Sequence, residues 1–463
     1  MPSMDDRFGL VARSAKGTVP ITLLEASALK AWLARQPARV RRWVEANGFA
    51  AEPGVSCLLP SESGGLAGVL AGVDSAEGPW PAAALPGRLP LGRYALAGRL
   101  GKAAAEQAVL GWGLASYRFA RYRTSKPDGP RLVWPKAADK AAVSRTLEGV
   151  ALVRDLVNTP AEDMGPAELA TAARVLARRH KARLSVIQGQ TLLTKNYPLV
   201  HAVGRASSRA PRLIDLRWGR RGPRVTLVGK GVCFDSGGLD LKPAGGMKLM
   251  KKDMGGAAHV LGLAQMVMAA RLPVRLRVLV PAVENAVSGN AFRPLDVIAS
   301  RKGLTVEIGN TDAEGRLILA DALTEACRER PALLIDFATL TGAARVALGT
   351  ELPALFCSDD ALAESFAKAG DKAHDPVWRL PLFEPYRRLL DSKVADINNI
   401  SEGGFGGAIT AALFLREFVA ADVPWAHLDV MAWNTRVRPG RPSGGEAMGL
   451  RAAYGVIEEL ARG

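Results

Sequence analysis

Hydrophobic residues in the second half of the chain recur in two alternating patterns. Apolar residues at helical spacing predict four helices, at Ala167–Arg179, Ala257–Ala270, Arg316–Arg328 and Ala408–Val419. Short β-branched or apolar runs between them predict five strands, at Leu184–Ile187, Val225–Val228, Leu276–Val280, Ala332–Phe337 and Ala426–Val430. Alternating strands and helices are typical of an α/β domain with a mixed, mostly parallel central sheet that helices cover on both faces.

The first part of the chain has a less regular pattern. Short apolar runs at Val55–Leu59 and Ala67–Val73 are separated by Gly and Pro, and the Ala- and Leu-rich segment Lys102–Phe119 predicts a helix. These features indicate a smaller N-terminal α/β domain. The segment Ser125–Pro135 contains three prolines and a glycine, which is typical of a domain boundary.

A further helix, predicted at Ala137–Leu156, follows this boundary. The Asn-Thr-Pro sequence that begins at Asn158 ends it, because the residue before a proline disfavours helical geometry. We therefore divide the chain into an N-terminal domain at 1–135, a connecting helix at 136–160 and a larger domain at 161–463. The length of 463 residues fits this division, since one hydrophobic core rarely grows past about 250–300 residues.

Composition narrows the class of protein. Hydrophobic residues make up 48% of the chain and charged residues 23%, which is ordinary for a globular protein and excludes a disordered one. Asp5 and Asp6 lie where a secretory signal would carry positive charge, and no apolar run is long enough to span a membrane. The four cysteines form no CxxC pair. These features predict a cytoplasmic protein without a membrane segment.

The net charge of +16 adds less to the functional picture. Seven arginines between Arg205 and Arg224 are opposed only by Asp215. A basic balance attracts polyanions but does not identify a fold. Nucleic-acid binding is possible but unsupported, because the chain carries no zinc finger or other nucleic-acid motif. The excess of basic residues is better explained by a generally arginine-rich composition, or by contacts between subunits, than by nucleic-acid binding.

The first segment with candidate chemistry is Val228–Pro243, which begins at the end of a predicted strand. It places Lys230, Asp235 and Lys242 among glycines, which allow the backbone to approach a ligand closely. A phosphate-binding Walker loop requires Ser or Thr after the lysine of its GK pair, and Gly231 stands there instead. That interpretation is excluded.

Two further segments contribute carboxylates. Asp253 stands at the start of a predicted helix, where the alternative is an ordinary helix-capping acid. Asp312, Glu314 and Arg316 occupy alternate positions, so in an extended segment they would point to one face at about 6.6 Å spacing. Such a group is costly to bury unless it binds something, and the alternative is a solvated surface turn.

Together these segments predict a divalent-metal site. Asp235, Asp253, Asp312 and Glu314 are acids at predicted strand or loop ends, and clusters of this kind hold hard or borderline cations. The chain has five histidines but no HExxH sequence, which excludes a one-zinc protease of that type. Carboxylate and amine ligands leave the metal open among Mn²⁺, Zn²⁺, Co²⁺ and Mg²⁺.

These segments resemble the leucyl aminopeptidase family, the cytosolic two-metal aminopeptidases. The family signature NTDAEGRL is present at Asn310–Leu317, and the spacing of Lys230, Asp235, Lys242 and Asp253 also matches. Other matching segments are Arg154–Pro160, His201–Arg205, Ala338–Ala343 and Gly407–Phe414. The resemblance covers about residues 150–435, so it makes 161–463 the catalytic metallo-aminopeptidase domain.

The resemblance implies a set of metal ligands. One ion would be held by Asp235, Asp312 and Glu314, with the backbone carbonyl of Asp312. The other would be held by Lys230, Asp235, Asp253 and Glu314, so that Asp235 and Glu314 bridge the two. Lys230 can ligate only when neutral, and a neighbouring divalent cation would lower its pKa. The ions expected are two per subunit, Mn²⁺ or Zn²⁺.

The resemblance also implies catalytic and substrate-binding roles. Lys242 and Arg316 would be the catalytic pair, with Arg316 holding a bicarbonate that relays a proton. Met250, Thr339 and Leu340 would line the substrate cleft. A hydroxide bridging the two metals would attack the first peptide bond of a peptide substrate, with Leu- or Met-like N-terminal residues preferred. The family further implies a homohexamer.

Two other functions remain open at this point. One is an architectural DNA-binding role, which some members of the family have and which the basic charge permits. The other is a dipeptidase specialised for Cys-Gly on the same metal site. Salt-dependent DNA binding that survives Asp312→Ala would indicate the first, and hydrolysis of Cys-Gly in preference to Leu, Met or Arg substrates would indicate the second.

Overall fold

The structure is a computed structural model, and its described residues are 4–75, 78–124 and 128–463. The first three residues of the predicted boundary, 125–127, lie outside them. The chain forms two compact units. The first comprises Met1–Leu147 with Arg436–Ser443, and the second comprises Glu148–Thr435 with Gly444–Gly463.

The first unit is built on a six-stranded sheet. In chain order its strands are β1 (Leu10–Val11), β2 (Val19–Leu24), β3 (Ser56–Pro60), β4 (Leu66–Gly72), β5 (Arg93–Leu96) and β6 (Arg131–Val133). They lie in the order β1-β6-β5-β2-β4-β3, and every pair is parallel except β3 with β4. Its helices are α1 (Met4–Arg7), α2 (Ala26–Ala34), α3 (Ala38–Ala46), α4 (Trp80–Ala83) and α5 (Lys102–Ser116).

The helix α6 (Lys140–Asn158) contains the division between the units, which falls between Leu147 and Glu148. It continues two residues past the predicted end at Leu156. Helix α5 ends at Ser116, three residues earlier than predicted. Both differences are of the size expected when helix ends are inferred from periodicity alone.

The second unit contains a nine-stranded mixed sheet. Its strands are β7 (Arg183–Gln188), β8 (Arg212–Trp218), β9 (Arg224–Gly229), β10 (Gly231–Asp235), β11 (Arg275–Asn285), β14 (Leu333–Ala338), β15 (Ala354–Cys357), β16 (Trp378–Arg379) and β18 (Trp425–Asp429). The order is β16-β15-β18-β14-β9-β11-β8-β7, with β10 on the far part of β11. The centre, from β18 to β11, is parallel. Small sheets contain β12 (Val297–Ala299), β13 (Thr305–Glu307), β17 (Ile397–Asn398), β19 (Trp433–Asn434) and β20 (Gly444–Gly445).

Helices cover this sheet. They are α7 (Pro166–His180), α8 (Thr191–Thr194), α9 (Pro198–Gly204), α10 (Ala244–Met247), α11 (Gly255–Ala270), α12 (Glu314–Cys327), α13 (Gly342–Leu348), α14 (Asp360–Ala373), α15 (Gly407–Arg416) and α16 (Leu450–Arg462). Short 3-10 helices lie at Ala161–Asp163, Met250–Met254 and Glu384–Leu390. In the described residues, no helix is both long and apolar enough to cross a membrane.

The central strands are apolar along their whole length because both faces of the sheet are covered. Every residue of β14 is buried, and β9 is buried except at Arg224. This is the pattern of a parallel sheet between two helical layers. Every strand and helix predicted in this half of the chain overlaps an observed one, and the mixed, mostly parallel α/β architecture is confirmed.

Candidate metal centre

The candidate residues meet at one edge of the large sheet. Lys230 follows directly after β9, and Asp235 is the last residue of β10. Thr339 follows β14, and Asp429 is the last residue of β18. Because the carboxyl ends of parallel strands lie at the same edge, the topology brings these four residues to one place, which is where ligands bind in such sheets.

Lys230 is a buried cation held by two carboxylates. Its Nζ lies 2.8 Å from Asp253 Oδ2 and 3.0 Å from Glu314 Oε1, and it donates a hydrogen bond of 3.0 Å to the carbonyl of Thr339. Burial alone would lower the pKa of Lys230, but the charges of Asp253, Glu314 and Asp235 raise it above its ordinary value. A metal ion that took Lys230 as a ligand would therefore have to displace a proton.

Lys242 is a second cation that is held between two carboxylates, Asp235 and Asp312. Its Nζ lies 2.8 Å from Asp235 Oδ2 and also contacts Asp312 Oδ1. The other oxygen of Asp235 accepts hydrogen bonds of 2.9 Å from the backbone of Gly237 and from Asn285. Burial and the neighbouring carboxylate Asp253 still raise the pKa of Asp235 to about 6.

The segment Asp312–Arg316 is not extended, which was the condition for its three charged side chains to share one face. The side chain of Asn310 accepts a hydrogen bond of 2.6 Å from the backbone of Asp312, which turns the chain, and Glu314 is the first residue of α12. Asp312 and Glu314 are nevertheless brought together with Asp235, because the turn and the helix start face the end of β10. One carboxylate oxygen from each of the three lies within 4.8 Å of the others.

Glu314 carries the clearest signal that this site takes a cation. The side chain is buried, and its Oε2 finds no hydrogen-bond partner among the described residues. Burial and the charge of Asp235 raise the pKa of Glu314 to about 8. A buried carboxylate oxygen without a partner costs free energy that a bound cation offsets. Four carboxylates and one lysine are donors that fit divalent ions.

Asp253 lies in the 3-10 helix immediately before α11, one turn from the predicted helix start. The hydroxyl of Thr339 donates a hydrogen bond of 2.6 Å to its Oδ1. The pKa of Asp253 is lowered, because the cations Lys230 and Lys252 outweigh the effect of burial. The carboxylate is therefore kept ionised and oriented towards Lys230.

Arg316 is a buried cation whose guanidinium is only partly used in hydrogen bonds within the described residues. Its Nη1 donates a hydrogen bond of 2.6 Å to the carbonyl of Asn399, and the guanidinium lies over the ring of Phe414. Burial lowers the pKa of Arg316 to about 10, so it stays charged near neutral pH. Its Nε has no hydrogen-bond partner in the described part of the chain. This donor suits a small anion.

Of the three residues predicted to line a substrate cleft, Thr339 contacts the cluster, and Met250 and Leu340 are close to cluster residues along the chain. Met250 opens the 3-10 helix that carries Asp253, and its side chain is half-buried. Thr339 is buried and directed at Asp253. Leu340 is half-buried, and its backbone N–H donates a hydrogen bond of 3.0 Å to Asp429.

Sequence reasoning missed the residues that support the cluster. Asn285 joins Asp235 to the carbonyl of Thr311, and Asn399 accepts hydrogen bonds from the backbone of Gly309 and Asn310. Asp429 binds the backbone N–H groups of both Leu340 and Thr341. The one available signal was a polar residue at the end of an apolar strand, at Asn285 and Asp429.

Comparisons with known proteins agree with this geometry. The model of the cytosol aminopeptidase family, catalytic domain, matches residues 151–454. The model of the M17 aminopeptidase N-terminal domain matches residues 19–135. A probable cytosol aminopeptidase of Roseiflexus castenholzii is 43% identical over 365 residues, which is 75% of this chain and 74% of that protein.

Solved structures are also similar over nearly the whole chain. The crystal structure of a cytosol aminopeptidase from Coxiella burnetii has a TM-score of 0.94 and 51% identity, and the match covers 97% of this chain and 99% of that one. The bottromycin maturation enzyme BotP in complex with Mn has a TM-score of 0.85 and 36% identity. That match covers 96% of this chain and 100% of the other.

Proposed function

Because this chain belongs to the cytosol aminopeptidase family, we propose that it is a metal-dependent aminopeptidase. It hydrolyses the first peptide bond of peptides that have a free amino terminus. One observation carries the proposal: Asp235, Asp312 and Glu314 converge on one point, and Glu314 Oε2 is buried there without a partner.

Two divalent cations would be held at this site. Asp235, Asp312 with its carbonyl, and Glu314 would hold the first, and Lys230, Asp235, Asp253 and Glu314 would hold the second. Mn²⁺ is one candidate, since the similar BotP structure is a complex with Mn, and Zn²⁺ is the other. When bound, the two ions would hold the free amino group, polarise the scissile carbonyl and lower the pKa of the attacking water.

Lys242 would act as a fixed cation beside the reacting carbonyl. It is the less buried of the two lysines, and the carboxylates Asp235 and Asp312 hold its Nζ in place. Burial alone would lower the pKa of Lys242, but Asp235 and Asp312 raise it, so the side chain stays protonated. It would donate a hydrogen bond to the carbonyl oxygen as negative charge develops there.

Arg316 would hold the anion that moves the proton. Histidine is the usual general base. Within the part of the chain that the structure describes, three histidines are buried, and none makes a hydrogen bond to a metal-site residue; they are His201, His259 and His427. Arg316 would hold a bicarbonate through its Nε, and the bound anion would supply the base that the histidines do not provide. The carbonyl of Asn399 would keep the guanidinium in place through its hydrogen bond with Nη1.

Apolar N-terminal residues would be the preferred substrates. Met250, three residues before Asp253, and Leu340, directly after Thr339, are half-buried apolar side chains. They would form a pocket wall that favours Leu or Met. We further propose a homohexamer located in the cytosol, which size-exclusion chromatography with light scattering and cell fractionation would test.

The assay compares Leu-, Met- and Arg-anilides with Cys-Gly, in the presence of Mn²⁺ or Zn²⁺. N-acetyl-Leu-anilide is the matched control, because it lacks only the free amino group. Hydrolysis of Leu- or Met-anilide, with none of the blocked substrate, supports the proposal. If no free or blocked peptide is cleaved with either metal, the proposal is wrong, and exclusive cleavage of Cys-Gly would make the chain a dipeptidase.

A further inference from the structure

The opposite end of the large sheet carries a surface that the proposed peptidase chemistry does not use. It is formed by the end of α7, the chain between β8 and β9, and the chain between α11 and β11. Trp218 ends β8, while Arg224 and Arg275 begin β9 and β11. This surface therefore lies at the amino ends of β9 and β11, and Lys230 follows the opposite end of β9.

Two neighbouring depressions occupy this surface. The first has a volume of about 540 Å³ and the second about 740 Å³. They share Lys181, Trp218, Gly219 and Arg220, so they form one two-part groove on either side of Trp218. Each volume falls within the range of small-molecule pockets, about 300–1,000 Å³.

The two parts differ in chemistry. The first is lined by the apolar residues Trp218, Met268, Leu272, Pro273 and Val274, together with cations, and none of its lining residues is acidic. The second is lined mainly by arginines, and its one acidic residue is Glu329. That carboxylate is already bound by Arg217 at 2.7 Å and by Arg277 at 3.4 Å.

Five cations of this groove have no partner. Their side chains are exposed and make no ion pair or hydrogen bond with the described residues. They are Lys181, Arg183, Arg220, Arg221 and Arg271. Like charges held on one surface repel each other, and a bound polyanion would relieve that repulsion. Arginine and lysine are also the side chains that bind phosphate groups most readily.

We propose that this groove binds a nucleoside polyphosphate. The base lies against Trp218 and the other apolar lining residues, and the phosphates extend across Lys181 and Arg220 towards Arg183. An aromatic body accounts for the apolar part, and a chain of phosphates accounts for the unpaired cations of both parts. The inference is independent of the peptidase proposal, because no residue of the groove belongs to the metal site.

The test is calorimetric titration of the full-length chain with ATP, after treatment with a chelator so that the nucleotide cannot act by withdrawing a metal. Adenosine and inorganic triphosphate are titrated separately. The test variant is Arg183→Glu with Arg220→Glu, which reverses two cations on the path of the phosphates. The control, Lys372→Glu with Lys393→Glu, makes the same change of charge at two exposed lysines outside the groove. Melting temperature and peptidase activity are measured on both, to show that each is folded.

We expect saturable binding of ATP, at least about tenfold tighter than binding of adenosine or triphosphate alone. The test variant should weaken it by at least about tenfold and the control by less than about twofold. Absence of saturable binding at millimolar ATP, or equal effects of the two variants, would overturn the proposal. So would triphosphate binding as tightly as ATP, or binding seen only with oligonucleotides and strengthening with their length, which would indicate a nucleic-acid surface.

Discussion

A Cβ atom on Gly315 would lie 2.5 Å from Cε and 2.7 Å from Nζ of Lys230. The lysine can therefore lie between Asp253 and Glu314 only because residue 315 has no side chain. Glycine disfavours helix formation. Its presence at this position of α12 is therefore explained by the space that Lys230 needs in the candidate metal site.

Gly315→Ala should consequently move Lys230 while leaving the fold intact. We expect metal affinity and activity to fall by at least about tenfold, with a small change in melting temperature. Calorimetric metal titration measures the first and thermal unfolding the second. Gly289→Ala is the control, since nothing lies within 4 Å of the added atom. Normal metal binding by Gly315→Ala would show that the position of Lys230 is unimportant.

Thr339→Val should weaken the same side of the site. The substitution removes the 2.6 Å hydrogen bond to Asp253 Oδ1 and leaves a buried carboxylate oxygen without that donor. We expect a loss of about 1–3 kcal/mol in the free energy of unfolding of the metal-free protein, measured by urea denaturation. Thr339→Ser retains the hydroxyl and should retain most of the stability. Equal losses in the two variants would assign the effect to packing.

Asn399→Ala should disturb the turn that positions Asp312 and Glu314. The Asn399 side chain accepts hydrogen bonds from Gly309 and Asn310 and donates 2.8 Å to the carbonyl of Asn310, so it fixes the turn before Glu314. We expect kcat to fall by about tenfold or more, with KM changed less, because the turn positions catalytic groups. Steady-state kinetics on Leu-anilide measure this. A change in KM alone would point to a role in substrate binding.

The buried pair of His427 and Asp336 should make stability depend on pH. Their side chains are 2.6 Å apart, and although burial alone would lower the pKa of His427, Asp336 raises it. A raised pKa in the folded state stabilises the protein fully below the unfolded value of about 6.5, and this stabilisation is lost as pH rises through the folded value.

The free energy of unfolding of wild type minus that of His427→Gln should therefore be larger in mildly acidic than in alkaline buffer. Denaturant titrations across that range measure it. Asp336→Asn removes the main charge that raises the pKa and leaves the opposing effect of burial, so in that background the larger difference in acidic buffer should be lost or reversed. A difference that grows with increasing pH would contradict the assignment.

The central architecture could be predicted from the sequence because its strands and helices are marked by hydrophobic patterns within short stretches of the chain. Val225–Val228 and Ala332–Phe337 are apolar runs, and the helices between them have an apolar period, so both could be identified without tertiary information. The same local view failed at Asp312–Arg316. Alternation of charged residues indicates an extended segment, but Asn310 turns the chain and the helix begins at Glu314.

The supporting residues could not be predicted for a different reason. Asn399 meets Arg316 across 83 positions of sequence, and Asp429 meets Leu340 across 89. Such pairs depend on the spatial order of the strands, in which β18 lies beside β14 and β14 beside β9. The spatial order of the strands cannot be inferred from hydrophobic periodicity along the chain.

Lys242 has the most decisive role in the proposed reaction, as a cation that stabilises developing charge and not as a metal ligand. Metal content and Leu-anilide hydrolysis are measured together on wild type and on Lys242→Ala. We expect two divalent ions per chain in both proteins, with kcat lower by about 10²–10³ in the variant. Full activity in Lys242→Ala, or loss of the metals together with activity, would contradict this role.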